Sequence, residues 1–552
     1  MRIRESESRR RVRRVPGVRK GLPWAVALVA TTAVAGCGGS HHSTTHASTT
    51  TAKTTSTVHP AAAPKPLAVV PAVVDDGTRA ENLRLSVYDL RRDGPYVVLD
   101  FGITCLNGSS SPCDGELDFA APAHSGPQVT ANANTASGVM LVDPVAHKEY
   151  QPVRDSQNRP FASQVPASIA DADEHLAWVV FAAPPSSVTT LDLAFPNGGP
   201  QVRGVPISST ASPPTAGGSR VAAQPAPFAA SLGSTDTTGL TLPIESLAAT
   251  VGNPNGSDSE SATQDAITLR SDVLFHFDKS NLTPAAHTIL TQLAPQIKAR
   301  AVGPVKVTGY TDSIGTDAVN IPLSQARAHS VVAALQSATP GVAYQASGLG
   351  SADPVAPNTK PDGSDDPAGR ALNRRVTIVF AVKAPTRPTA PPAAAATPAP
   401  PSAQSRTISF PINGGTGSDH YQATIGGLYR ENDLVVLKMT VECTSASSGN
   451  SCDGETELEG SNTVPPVPMD SHSETYDTVS GFYLRDPASG TEYIPLHDTD
   501  GRPLTAGVDV YMGVGQSYPV WAYFPAPAAS TSALTVVAPG GTASVAGVPI
   551  SG

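Results

Sequence analysis

Charge is scarce in this sequence: only 15% of its 552 residues are Asp, Glu, Lys or Arg, and only 5% are aromatic. So little charge and so few rings over this length argue against one large enzyme core. About three compact modules of roughly 100–200 residues each are expected, with unfolded stretches between them. No apolar run reaches the ~20 residues a membrane-spanning helix needs; the N-terminal run Leu22 to Ala35 stops at about fourteen. No HExxH occurs, and no GxSxG in a strand–turn–helix setting, which removes the zinc hydrolases and serine hydrolases those motifs encode. Cysteine is rare at 5 residues, few enough to be accounted for one by one. Proline is not rare: 53 residues point to tethers between modules.

The first 20 residues hold Arg and Lys at nine positions against two Glu. The short apolar run follows and ends in Val34-Ala35-Gly36-Cys37. This order resembles the bacterial lipobox, in which the Cys is lipidated and becomes the first residue of the mature protein. The resemblance implies a signal peptide over 1–36, Cys37 as lipidation site, and an exported chain held on a membrane by its lipid, the outer membrane if the cell has one. Taking the leader's net +7 from the whole chain's −10 leaves a mature chain near −17. That sign argues against nucleic acid as a partner, since such binding neutralises phosphates with Lys and Arg.

Residues 37–66 are rich in Ser, Thr and Pro, without apolar periodicity, and are expected to remain an extended linker. A Pro/Ala-rich second linker covers 385–404. Between and beyond them lies a long-range repeat. Tyr96 to Cys105 (YVVLDFGITC) aligns with Leu434 to Cys443 (LVVLKMTVEC), and DPVAHKEYQPVRDSQNRP from Asp143 aligns with DPASGTEYIPLHDTDGRP from Asp486. Trp178 matches Trp521, and GVPIS at Gly204 matches GVPIS at Gly547. Short apolar or alternating runs bounded by Gly, Ser, Asp and Pro make each copy (67–208 and 405–552) an all-β, sandwich-like domain.

With Cys37 lipidated, one pair of cysteines remains in each copy: Cys105 with Cys113, and Cys443 with Cys452. An exported location favours disulfides. Each pair flanks a Gly/Ser-rich segment between strand-like runs, and facing positions across a hairpin lie about 4.5–5.5 Å apart, within disulfide reach. A metal site is the alternative, weakened by the lack of nearby His. No cofactor and no metal is expected.

The pattern changes over 266–384, after a connector at 209–265 expected to be irregular. SDVLFHFDKS places Val273, Phe275 and Phe277 on one face of a strand. Thr283-Pro284 opens a helix, Thr as N-cap and Pro at the first helical position, with Pro295 expected to kink or shorten it. GPVKVTGYTD is a strand, LSQARAHSVVAALQ a helix and NRRVTIVFAV a final strand. The order β-α-β-α-β makes a central α/β domain between the two β copies.

FHFDKSNLTPAA, GYTDSIGTDAVNIPLSQARAHSV, GLGSADPVAPN and GRALNRRV, in that order, resemble the OmpA-like peptidoglycan-binding domain. The resemblance implies that Asp312 and Arg327 hold the diaminopimelate of the peptidoglycan stem peptide. The chemistry suits: the free end of diaminopimelate presents an ammonium beside a carboxylate, which a carboxylate and a two-pronged guanidinium can grip. Thr311 and Asn320 match family positions that shape the loop, Asn320 as a helix cap; Phe277 and Asp278 match a pocket-lining loop; Arg374 and Arg375 match a block read here as structural. Two departures stand out, Tyr310 in place of the usual His and Pro322 at the helix start. From spacing alone, Asp312 and Arg327 would equally suit a surface ion pair, worth about 0–1 kcal/mol.

The expectation is a non-enzymatic lipoprotein that tethers membrane to cell wall. The alternative is an envelope adhesion or ligand-binding protein, in which the β copies meet an unknown protein or polysaccharide and the central domain only localises them.

Overall fold

The computed structural model describes residues 65–75, 80–108, 112–114, 135–166, 168–195, 199–209, 220–222, 239–253, 255–360, 363–383, 406–414, 417–447, 449, 451–453, 479–498, 501–506, 511–541 and 543–552. Cys37 and the two linkers, apart from Lys65 and Pro66, lie outside them. The molecule is multi-domain and mostly β, with few helices. No described helix is long and apolar enough to cross a membrane.

In the first β region, strands Ala80–Asp93, Tyr96–Cys105 and Glu174–Ala182 pair antiparallel in one sheet; Thr190–Ala194, Met140–Asp143 and Lys148–Tyr150 belong to a second. Leu85, Val87, Leu99 and Phe101 from the first sheet share one core with Leu141, Tyr150, Leu191 and Leu193 from the second. In the later region, Gly417–Glu431, Leu434–Ser445 and Ser517–Pro525 pair in the same order. Details of register coincide. Val87 faces Phe101 and Asp89 faces Asp100, skipping one residue; Ile425 faces Met439 and Gly427 faces Lys438, again skipping one. Trp178 sits opposite Asp100, and Trp521 opposite Lys438. Cys105 with Cys113, and Cys443 with Cys452, stand at disulfide distance, their Cα atoms 5.6 and 5.9 Å apart.

The two β regions pack against each other. Met140, Val142, Ala194 and Leu247 enter the core of the later region. Trp521 Nε1 donates to Gly199 O at 3.0 Å, and Tyr523 donates to Asp192 Oδ2 at 2.5 Å. Lys438 Nζ donates to Gln201 O at 3.2 Å. Burial pushes Asp192 up and Glu431 up to about 8, and pushes Lys438 down to about 8; Asp192 also opposes the ionisation of Glu431, whereas a hydrogen bond from Glu431 favours that of Asp192.

In the central region, α1 (Ser271–Leu274), α2 (Pro284–Arg300) and α3 (Asp317–Ala338) pack on one face of a sheet, and a short α4 (Pro367–Asn373) leads into the sheet strand that begins at Arg375. The strand order is Tyr344–Gly348, Ala301–Gly309, Arg375–Val382, Gln264–Arg270, Gly256–Glu260, Ala248–Asn253, with only the first pair parallel. Alternation works as the hydrophobic pattern dictates: Val305, Val307, Val376, Ile378 and Phe380 point into a core with Leu290 and Ile297 of α2 and Val331 and Leu335 of α3.

Four details depart from the sequence reading. The opening strand is Gln264–Arg270, earlier than expected, and residues 271–274 turn helically, Phe275 N donating to Ser271 O at 2.9 Å. Phe275 is therefore buried but Phe277 is 98% exposed, so the two do not share a strand face. Tyr344–Gly348 adds a strand beyond β-α-β-α-β. Pro295 lies inside α2, which runs on to Arg300, and Pro322 is the sixth residue of α3, past its first turn. The stretch expected to be irregular contains Ile244–Ser246, Ala248–Asn253 and Gly256–Glu260. Ala248–Asn253 pairs with Glu492–His497 of the later β region, which joins the central sheet to that region's strands.

Candidate functional site

Strand Ala301–Gly309 delivers Thr311 and Asp312, and α3 delivers Arg327. Two glycines let these elements approach. A Cβ on Gly309 would sit 2.3 Å from Ser324 O, and one on Gly348 would sit 2.2 Å from Gln325 N, so any side chain would collide with the α3 backbone. This contact brings the end of the strand beside the third turn of the helix, from which Arg327 emerges.

Asp312 is 8% exposed and Arg327 5%. Asp312 Oδ1 accepts from Ile314 N at 3.0 Å, and Oδ2 accepts from Arg374 Nη1 at 2.7 Å. Arg374 also donates Nε to Asp272 Oδ1 (3.1 Å) and Nη2 to Asp272 Oδ2 (2.9 Å). Asp272 thereby holds the Arg374 guanidinium above its ordinary pKa. Arg370 Nε stands 3.8 Å from Asp312 Oδ2 and pairs with Asp365 through its other end.

Arg327 is placed differently. Its Nε donates to Lys279 O at 3.0 Å, and its guanidinium carbon lies 5.2 Å from the centre of the Phe275 ring. Among the described residues no carboxylate lies within ion-pair distance of it. Burial lowers its pKa, while the nearby charges of Asp278, Asp272 and Asp312 raise it; a guanidinium stays charged regardless. The site therefore holds a buried cation with acidic neighbours but no ion-pair partner among the described residues.

Thr311 is buried, its Oγ1 donating to Asp312 O at 3.0 Å and its N–H to Gly350 O at 2.8 Å. Asn320 is not a helix cap. It lies within α3, buried, and its Nδ2 donates to Ile314 O at 3.1 Å, closing the loop that carries Asp312; Thr316 holds the N-cap position. Asp278 adopts φ 55°, a left-handed turn conformation that Asp tolerates better than most residues, next to the Lys279 carbonyl. Phe277 projects into solvent from the same turn, in contact with neither charged group. Arg375 lies 3.8 Å over the Tyr310 ring and donates to Asp353 O at 2.8 Å. The sequence reading did not assign Asp272 to the site, and it gave Arg374 only a structural role. Arg374 stands in a quoted block, GRALNRRV, whereas no motif marks Asp272.

The OmpA family model matches residues 274–366. Peptidoglycan-binding protein ArfA of Mycobacterium tuberculosis (strain ATCC 25618 / H37Rv) is 40% identical over 108 residues, 19% of this chain and 31% of that protein. Outer membrane protein A of Bordetella avium is 40% identical over 114 residues, 20% of this chain and 55% of that protein. The chain thus covers less than two thirds of either relative. Among solved structures, the peptidoglycan-associated lipoprotein from Burkholderia pseudomallei is 32% identical, with 20% of this chain and 87% of that one covered and a TM-score of 0.16.

Proposed function

From the OmpA-family domain at 274–366 we infer that the chain binds peptidoglycan without chemistry, by gripping the free end of diaminopimelate in the stem peptide. Arg327 takes the carboxylate and Asp312 the ammonium. The observation that carries this reading is the buried Arg327, held by a backbone carbonyl and an aromatic face, with no carboxylate in ion-pair reach among the described residues. Leaving a buried cation without a counter-ion costs free energy that a ligand carboxylate recovers on binding. A relative named for peptidoglycan binding, ArfA, supports peptidoglycan as the partner.

The flanking regions are, on this reading, two copies of one β-sandwich module. The repeated bulge and the matched Trp178 and Trp521 positions support it. A lipid on Cys37 would hold the membrane while the OmpA-family domain holds the wall, so that two weak attachments reinforce each other. The test is co-sedimentation of the full chain with purified sacculi, together with Arg327→Ala and Asp312→Ala. Retention by wild type and release of both variants is the expected result. Undiminished sedimentation of both variants would overturn the clamp. Fatty-acid labelling that survives Cys37→Ala would overturn the anchor.

A further inference from the structure

We propose that Asp272, acting through Arg374, is a positioning residue that keeps Asp312 aimed at, and attractive to, the ligand's ammonium. This rests on the diaminopimelate reading above. Asp272 sits on α1, directly after strand Gln264–Arg270, and Arg374 directly before strand Arg375–Val382. Arg270 and Arg375 face each other in register, and Ser271 N donates to Arg374 O at 2.9 Å. The backbones of the two partners are therefore fixed by the sheet before their side chains meet.

The guanidinium is planar, so two contacts decide where its third nitrogen points. Asp272 occupies Nε and Nη2, at 3.1 and 2.9 Å, and Nη1 then falls 2.7 Å from Asp312 Oδ2. With Ile314 N on Oδ1 at 3.0 Å, both oxygens of Asp312 are held. Each carboxylate oxygen has two acceptor sites, so each retains one for an incoming donor.

Charge matters as much as direction. Arg374 alone would cancel the charge of Asp312 and repel a ligand ammonium. Asp272 returns one negative charge to the far side of the guanidinium, leaving the trio at net −1. Lys279 and Arg370 also face this region, the first through its backbone carbonyl on Arg327; Arg370 Nε stands 3.8 Å from Asp312 Oδ2, and the charge of Asp365 at its other end offsets its own, so the net −1 is kept. Asp272 has a 45% exposed side chain, so the effect is expected to be largest at low ionic strength.

The experiment measures binding of two synthetic stem peptides to the full chain. One ends in diaminopimelate; the other has 2-aminopimelate in its place, keeping the far carboxylate but lacking the ammonium. Asp272→Asn is expected to weaken the first peptide about tenfold and leave the second unchanged, with Asp272→Glu regaining most of the loss. Equal weakening of both peptides, or no weakening of either, overturns the proposal. If wild type binds neither peptide, the diaminopimelate reading fails by itself. The positioning is then read from arginine-selective nitrogen NMR: a slowly exchanging Arg374 Nε–H that becomes fast in Asp272→Asn is expected, and equally fast exchange in both proteins overturns it.

Discussion

Arg374, and not Arg327, donates a hydrogen bond to Asp312, at 2.7 Å between Nη1 and Oδ2. The two candidate ligand-gripping groups are thereby kept from satisfying each other. Arg327→Ala should abolish retention on diaminopimelate-containing sacculi, and Arg327→Lys should weaken it by about ten- to a hundredfold, because an ammonium cannot make the two-pronged contact. Sedimentation and peptide titration measure both. Equal binding by Arg327→Lys and wild type would exclude the two-pronged grip.

The glycines behind the site set a second expectation. Gly309→Ala and Gly348→Ala each drive a methyl group into the α3 backbone. Each should lower the urea stability of the central region by about 1–3 kcal/mol, the usual range for overpacking. Since the clash lies between the elements that carry Asp312 and Arg327, peptide affinity should fall further than partial unfolding accounts for. An unaltered midpoint in urea would contradict the close approach.

The contact between the β regions makes stability depend on pH. Glu431 has its pKa raised from 4.5 to about 8 by burial and by Asp192. The folded chain thus keeps a proton that the unfolded chain releases, and this contribution is complete below about pH 4.5 and lost as pH rises towards 8. Lys438, lowered from 10.5 to about 8 by burial, acts in the opposite sense above pH 8, where the unfolded chain binds the extra proton. Chemical denaturation across pH 5 to 8 should show falling stability in wild type and a shallower fall in Glu431→Gln. Identical slopes would exclude a titrating Glu431 at this contact.

The cysteine pairs close loops with sequence separations of 8 and 9. In the chain-entropy treatment, each disulfide restricts the unfolded chain by about 2.5 kcal/mol. Reduction, or replacement of Cys443 and Cys452 together by Ala, should lower the urea midpoint of the later β region accordingly. Mass spectrometry without alkylation of these cysteines in the native oxidised chain is the matching observation.

The parts of the site that could be read in advance are local ones. Asp312 and Arg327 lie fifteen positions apart in one strand–loop–helix unit, and Thr311 and Asn320 stand in the same stretch. The tie between Arg374 and Asp272 spans 102 positions, and periodicity has no access to it. The opening strand is hard to place from sequence because Asp265, buried at 0% exposure, interrupts the apolar alternation of QDAITLR; its carboxyl is met by Arg300 at 2.9 Å, again from a distant element. Meanwhile VLFHF alternates like a strand, although its chain is turning. Ala248–Asn253 and Gly256–Glu260 are too polar to announce themselves, and they exist as strands because partners on both sides supply hydrogen bonds. The packing of the two β regions was illegible for the same reason: Asp192 and Tyr523 meet across 331 positions.

The strand pairing between Ala248–Asn253 and Glu492–His497 changes what a broken backbone would do. A protease cut anywhere in 385–404 severs the only covalent route from the OmpA-family domain forward to the later β region. The two fragments would nevertheless stay together, zipped by a shared β ladder and by the buried contacts of the two β regions. A nicked chain should therefore migrate as one particle until denaturant is added, and the grip on the wall proposed above should outlast the loss of its continuity.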